Sequence, residues 1–172
     1  MIAVETTVAA TPEVLQGPWE RIAEQVARRA HGDTRNKHSG ELYILHPERV
    51  VAYLRRAGAD DFRLAIGWLH DVVEDTSITL ADLALIFPAR IVAAVDALTH
   101  RKGERRIDYY ARVGAVYDAL MVKIADLLDN TDPERRVGLP QATILRLDLK
   151  YSIAHRELNP WVIHHLNHRE IA

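Results

Sequence analysis

The sequence contains no cysteine, which excludes disulfides, thiolate-held metals and a cysteine nucleophile, and suits a reducing compartment. No uninterrupted apolar stretch approaches the roughly 20 residues that span a bilayer. The start, MIAVETTVAATPE, has no basic region leading into an apolar run, so no secretory leader is expected. These absences predict an intracellular, cytoplasmic protein with no membrane partner. An excess of basic charge is also missing: 22 Lys and Arg face 24 Asp and Glu, for a net charge of -2. That balance offers no general attraction to nucleic acid, so an anionic ligand would have to be held locally.

Hairpin signals are lacking too, since no Asn-Gly or Asp-Gly pair joins two alternating runs. Apolar residues recur instead at helical spacing, which predicts an all-α fold. At 172 residues the chain is long enough for one domain, 1–172, with its own core. Thr11-Pro12 and Gly17-Pro18 are helix-start signals with proline at the first helical position, the second opening a helix over about 18–30. A loop over 31–42 follows, then a helix from His46-Pro47 to a terminating Gly58. Asp60 can cap the next helix, Thr79 a short one reaching Phe87, and Pro88 opens another that ends near Leu98. After the basic connection HRKGERR come a helix from about Ile107 and one through YDALMVKIADLLDN. Gly138-Leu139-Pro140 starts a long helix to about Leu158, and Asn159-Pro160 a last one.

One segment, GWLHDVVEDT, gathers His70, Asp71, Glu74 and Asp75 within a single expected helix, although no Lys or Arg lies between Arg63 and Arg90. With His70 at zero on a helical wheel, Glu74 falls at about 40°, Asp71 at about 100° and Asp75 at about 140°, opposite Trp68, Leu69, Val72 and Val73. A solvated polar face is the plain reading of such a stripe. Like charges at this spacing weaken a helix, however, and negative charge without basic partners points to a cation from outside. In MVKIADLLDN, Asp126, Asn130 and Lys123 share one side of a second amphipathic helix. His46 ends the apolar triplet of YILHP. Together His46, His70, Asp71 and Asp126 supply two imidazoles and two carboxylates, a set suited to Mn²⁺, Fe²⁺, Mg²⁺ or Zn²⁺, with room for water or a phosphate oxygen.

The series SGELYILHP, WLHDVVEDT, ALTHRK and VKIADLLDN resembles the HD-domain hydrolases of the RelA/SpoT type over about 23–130, and more weakly through YSIAHREL. The resemblance implies a helical bundle of about eight to ten helices, with C-terminal helices over 140–171. It implies Mn²⁺, or another divalent metal, on His46, His70, Asp71 and Asp126. Glu74 and Asp75 match the acidic pair that positions or activates the attacking water, and Lys37, Ser39 and Asn130 match substrate-side positions. A metal lowers the pKa of bound water and neutralises phosphate charge, while a carboxylate one turn away can accept the proton. The implied activity is that of a metal-dependent phosphohydrolase removing the 3′-pyrophosphate of (p)ppGpp to give GDP or GTP and pyrophosphate. The chain ends where the bifunctional enzymes begin their synthetase domain, which predicts a stand-alone hydrolase. Two alternatives stand beside it: the same chemistry on another nucleotide such as NADPH, and a non-catalytic alarmone-binding module.

Some positions depart from the family pattern. Lys37 stands where arginine is usual, and ADLLDN replaces ADRLHN, so Leu127 and Asp129 take the places of Arg and His. A lost cation and an added anion weigh against a highly phosphorylated substrate. The run from His100 to Arg106 could bind phosphate or be a solvated connection, with the second favoured. His164 and His168 lack the glutamate of a zinc-protease motif and are expected at the surface. Val50, Tyr53 and Leu54 fit either a core face or a homo-oligomer contact.

Overall fold

The computed structural model describes residues 18–37 and 39–167. Among them are nine α-helices, one 3₁₀ turn and no strand, with a lone antiparallel bridge between Arg35 and Leu42. The helices are α1 (Trp19–His31), α2 (Leu45–Arg56), α3 (Asp61–Leu69), α4 (Val72–Asp75), α5 (Leu80–Ala84), α6 (Ala89–Leu98), α7 (Arg106–Ala115), α8 (Tyr117–Thr131) and α9 (Gln141–Asn167); the 3₁₀ turn is Pro133–Arg136. The all-α expectation and its helix number are met. The signals at Thr11-Pro12, Gly17 and His168 lie outside the described residues.

Helix α3 is the axis of the bundle. Its residues from Leu64 to Leu69 are all buried, the pattern of a helix surrounded by others, and it packs on α1, α2, α6 and α8. Small residues permit the close approach. Ala23 and Ala27 of α1 are fully buried, and a Cβ on Gly67 would lie 2.7 Å from Leu54 Cδ1 and 3.0 Å from Val51 Cγ2. Val50 and Leu54 are therefore core residues, unavailable to a second subunit. No described helix is long and apolar enough to cross a membrane.

Local end signals act where the sequence places them. Asp60 Oδ1 accepts the Arg63 N–H at 3.0 Å, and Thr79 forms a reciprocal capping box with Asp82. Gly58 ends α2 at φ 74°. One cap is tertiary: the Asp61 carboxylate accepts the N–H groups of Trp19 at 2.7 Å and Glu20 at 3.1 Å, tying the start of α1 to the start of α3.

Two expected elements are corrected. The helix carrying GWLHDVVEDT is not continuous: α3 ends at Leu69 and α4 starts at Val72, with Asp71 at φ -106°, ψ -4°. Neighbouring side chains on a regular helix diverge by about 100°. The turn instead lets His70 and Asp71 face one point. Helix α9 is not two helices, because Pro160 sits inside it. Packing on both sides of the proline outweighs the missing N–H. Ala154 and Leu158 are buried before it, and after it Trp161 lies over Gly114 while His165 Nε2 meets the Gly114 carbonyl at 2.9 Å.

Candidate active site

The C-terminal end of α3, the start of α2 and the last half of α8 meet at one place. His70 Nδ1 donates to the Gly67 carbonyl at 2.8 Å, a bond within its own turn, which directs Nε2 outward. His46, in the first turn of α2, directs its Nε2 to the same point, 3.2 Å away. Asp126 Oδ1 lies 3.2 Å from His46 Nε2 and 4.0 Å from His70 Nε2. Asp71 Oδ2 lies 3.5 and 3.1 Å from the same two nitrogens. The ligand atoms of His46, His70 and Asp126 all fall within 4.8 Å of one another. A divalent cation held at about 2.1 Å by each donor would space them by about 3 to 4 Å, so the four residues fit a shared ion in both distance and donor type.

The electrostatics favour positive charge at this point. Burial pushes the pKa of His46 down, but its bonds to Asp126, Asp129 and Asp71 raise it well above the ordinary value. His70 is raised in the same way, burial being overcome chiefly by Asp71. Burial likewise opposes charge on Asp126, yet Lys123 and His46 hold its carboxyl below the usual range. Lys123 Nζ sits 2.7 Å from Asp126 Oδ2. Tyr43 donates its hydroxyl to Asp71 Oδ2 at 2.6 Å; burial and the charges of Asp71 and Asp75 push its pKa up, so the donor is retained.

The cluster floors a cavity of about 230 Å³. Glu74 and Asp75 line one side, exposed, and Glu74 Oε2 accepts the His100 N–H at 3.0 Å. His100, Arg106, Lys123 and Lys150 line it as well. An adjoining recess of about 50 Å³ is bordered by Asn36, Asn130 and Tyr151, which also line the cavity, and extends to Ser39 and Arg136.

The structure thus brings His46, His70, Asp71, Asp126, Glu74 and Asp75 together. Asn130 also joins them, its Nδ2 donating to Asp126 Oδ1. Ser39 stands at the recess and its neighbour, and Lys37 is exposed and lines none of these spaces. The basic run is divided: His100 and Arg106 face the cavity, whereas Arg101 pairs with Asp96 and Arg105 with Asp108.

Asp129 is corrected. It does not add negative charge to the cavity, because it is fully buried and bonded to His46, Arg49 and Arg135. Tyr43 and Lys150 were not singled out from the sequence, and Tyr151 entered only as the first residue of the weakly similar stretch YSIAHREL. Their signal was weak, since each looks like an ordinary amphipathic-helix or loop residue until the helices are packed.

A family model described as HD domain matches residues 23–130. The chain belongs to the HD-domain family. An HD domain implies a divalent metal, and His46, His70 and Asp126 stand close enough to hold one. The chain is 34% identical over 142 residues to a guanosine-3′,5′-bis(diphosphate) 3′-pyrophosphohydrolase of Vibrio cholerae, covering 77% of this chain and 19% of that protein. It is 28% identical over 155 residues to the protein of the same name in Aquifex aeolicus, covering 82% and 22%. This HD domain therefore spans about a fifth of the length of these curated relatives. A solved structure described as a metazoan ortholog of SpoT that hydrolyzes ppGpp superposes with a TM-score of 0.66 at 23% identity, covering 89% of this chain and 88% of that one. That likeness shows a shared all-α HD fold.

Proposed function

We propose that this HD domain hydrolyses the 3′-pyrophosphate of (p)ppGpp with Mn²⁺, giving GDP or GTP and pyrophosphate. The observation that carries the reading is the pairing, in one cavity, of a two-histidine, two-carboxylate cluster with a wall of His100, Arg106, Lys123 and Lys150. The names of the Vibrio cholerae and Aquifex aeolicus relatives support the same substrate. A divalent cation on His46, His70, Asp71 and Asp126 would acidify water and neutralise phosphate charge.

The chain's own groups supply the rest. In the hydrolysis the water oxygen bonds to the phosphorus attached at the ribose 3′ oxygen, and the bond from that phosphorus to the 3′ oxygen breaks. Glu74, steadied through Oε2 by the His100 N–H, takes the proton from water through its other oxygen, and Asp75 helps to place the water. A proton then returns to the departing 3′ oxygen. Lys123, Lys150 and Arg106 hold the phosphate charge, and the recess bordered by Asn36, Asn130 and Tyr151 takes the nucleoside. Lys37 contributes long-range charge only.

The test is purified protein with Mn²⁺, offered ppGpp, pppGpp, GTP, dGMP and NADPH in parallel, with pyrophosphate and phosphate measured separately. Pyrophosphate from ppGpp and pppGpp alone is expected. Phosphate from NADPH with ppGpp untouched would move the activity to that nucleotide. Tight ppGpp binding without turnover of any substrate would replace the enzyme by a binding module.

A further inference from the structure

We propose that Asp129 is a positioning residue for the metal centre: its carboxylate receives Nδ1–H of His46, holds the ring in one tautomer and presents Nε2 to the cation. The inference rests on the metal site proposed above. Asp129 Oδ2 lies 2.6 Å from His46 Nδ1, and Asp129 Oδ1 accepts Arg49 Nε–H at 2.6 Å. Arg135 of the 3₁₀ turn binds Oδ2 as well. The residue is fully buried, and it does not line the cavity.

A buried carboxylate is costly unless each oxygen is paired, and here every partner is a donor that fixes the group in place. Arg49 and Arg135 are themselves held by Glu41, at 2.7 and 3.2 Å. The carboxylate therefore cannot swing toward the cation, and its one contact with the centre runs through the imidazole of His46. The two histidines are supported unequally. His70 donates to a neutral carbonyl, Gly67 O, whereas His46 donates to an anion, which makes its Nε2 the more electron-rich donor.

Mn²⁺ and, separately, Zn²⁺ affinities of the full chain are measured by calorimetry for the unaltered protein, Asp129→Asn, His46→Ala and the double variant. Loss of an outer carboxylate of this kind lowers metal affinity about 10- to 100-fold. That loss is expected for Asp129→Asn alone, and little further loss in the His46→Ala background. Equal losses in both backgrounds, or none in either, would overturn the role, since a purely structural ion-pair network does not act through His46. If Asp129→Asn does not fold, ¹⁵N-histidine spectra of the unaltered, Zn²⁺-loaded chain decide. A proton on Nδ1 of His46 supports the assignment, and one on Nε2 overturns it. No metal uptake by the unaltered chain would overturn this inference and the proposed reaction together, whereas normal uptake with an unchanged Asp129→Asn overturns the inference alone.

Discussion

At the scale of single residues, the site separates buried charged groups from exposed carboxylates. His46, His70 and Asp126 are buried, where their polar atoms are satisfied by one another and by Asp129, Gly67 and Lys123. Glu74 and Asp75 are exposed at the cavity and free to meet solvent water. That contrast gives a prediction. Glu74→Ala should lower kcat by about 10² to 10⁴, the usual worth of a general base, while Mn²⁺ affinity measured by calorimetry stays within a few-fold. Full activity in the variant would remove Glu74 from the mechanism. The candidate ligands were legible in the sequence because the separate His, His-Asp and Asp motifs, read together, resemble those of HD-domain hydrolases. Asp129 was not, since a carboxylate reads as an added anion until its partners Arg49 and Arg135 are seen.

At the scale of elements, helix ends followed local rules and helix continuity did not. Asp60 and Thr79 cap as expected because their partners lie three residues on. Pro160 was expected to start a new helix, yet α9 runs through it. The contact of Trp161 with Gly114 holds the second half against α7. A Cβ at Gly114 would meet Trp161 ring atoms at 2.2 to 2.5 Å, so Gly114→Ala should destabilise the fold by about 1–3 kcal/mol through overpacking, read as a lower urea midpoint. A second prediction concerns the joint between α3, α6 and α8. Arg63 and Arg90 bond Asp118 at 2.8 and 2.7 Å, and although burial opposes its charge, these guanidiniums hold its carboxyl below the usual aspartate range. A carboxyl depressed on folding stabilises above its unfolded pKa, and that share is lost as pH falls through the folded one. Asp118→Asn should therefore be less stable than the unaltered chain at neutral pH, with the gap narrowing below about pH 4 in thermal melts across pH. A gap constant with pH would remove the ion pair as its cause.

At the scale of the molecule, helices far apart in the chain are joined through the site, so a cation there should stabilise the whole fold. Metal at about 100 times its Kd would add about 2.7 kcal/mol, which for a chain of this size raises Tm by roughly 5 to 10 °C. The shift should be reversed by chelation and absent in Asp126→Asn; a melt indifferent to Mn²⁺ would speak against a shared ion. Composition, helical periodicity and short-range caps determined the all-α class and most helix positions, because each depends on residues within about one turn of one another; the candidate metal set came instead from motifs spread over three helices that resemble those of HD-domain hydrolases. Only the tertiary structure decided that His70 and Asp71 turn toward one point, that Lys123, Lys150 and Tyr151 share their cavity, that Asp129 serves His46 across 83 residues, and that α9 stays whole. These depend on which helix faces meet, and a rule that reaches three or four residues along the chain carries no information about contacts that packing alone creates.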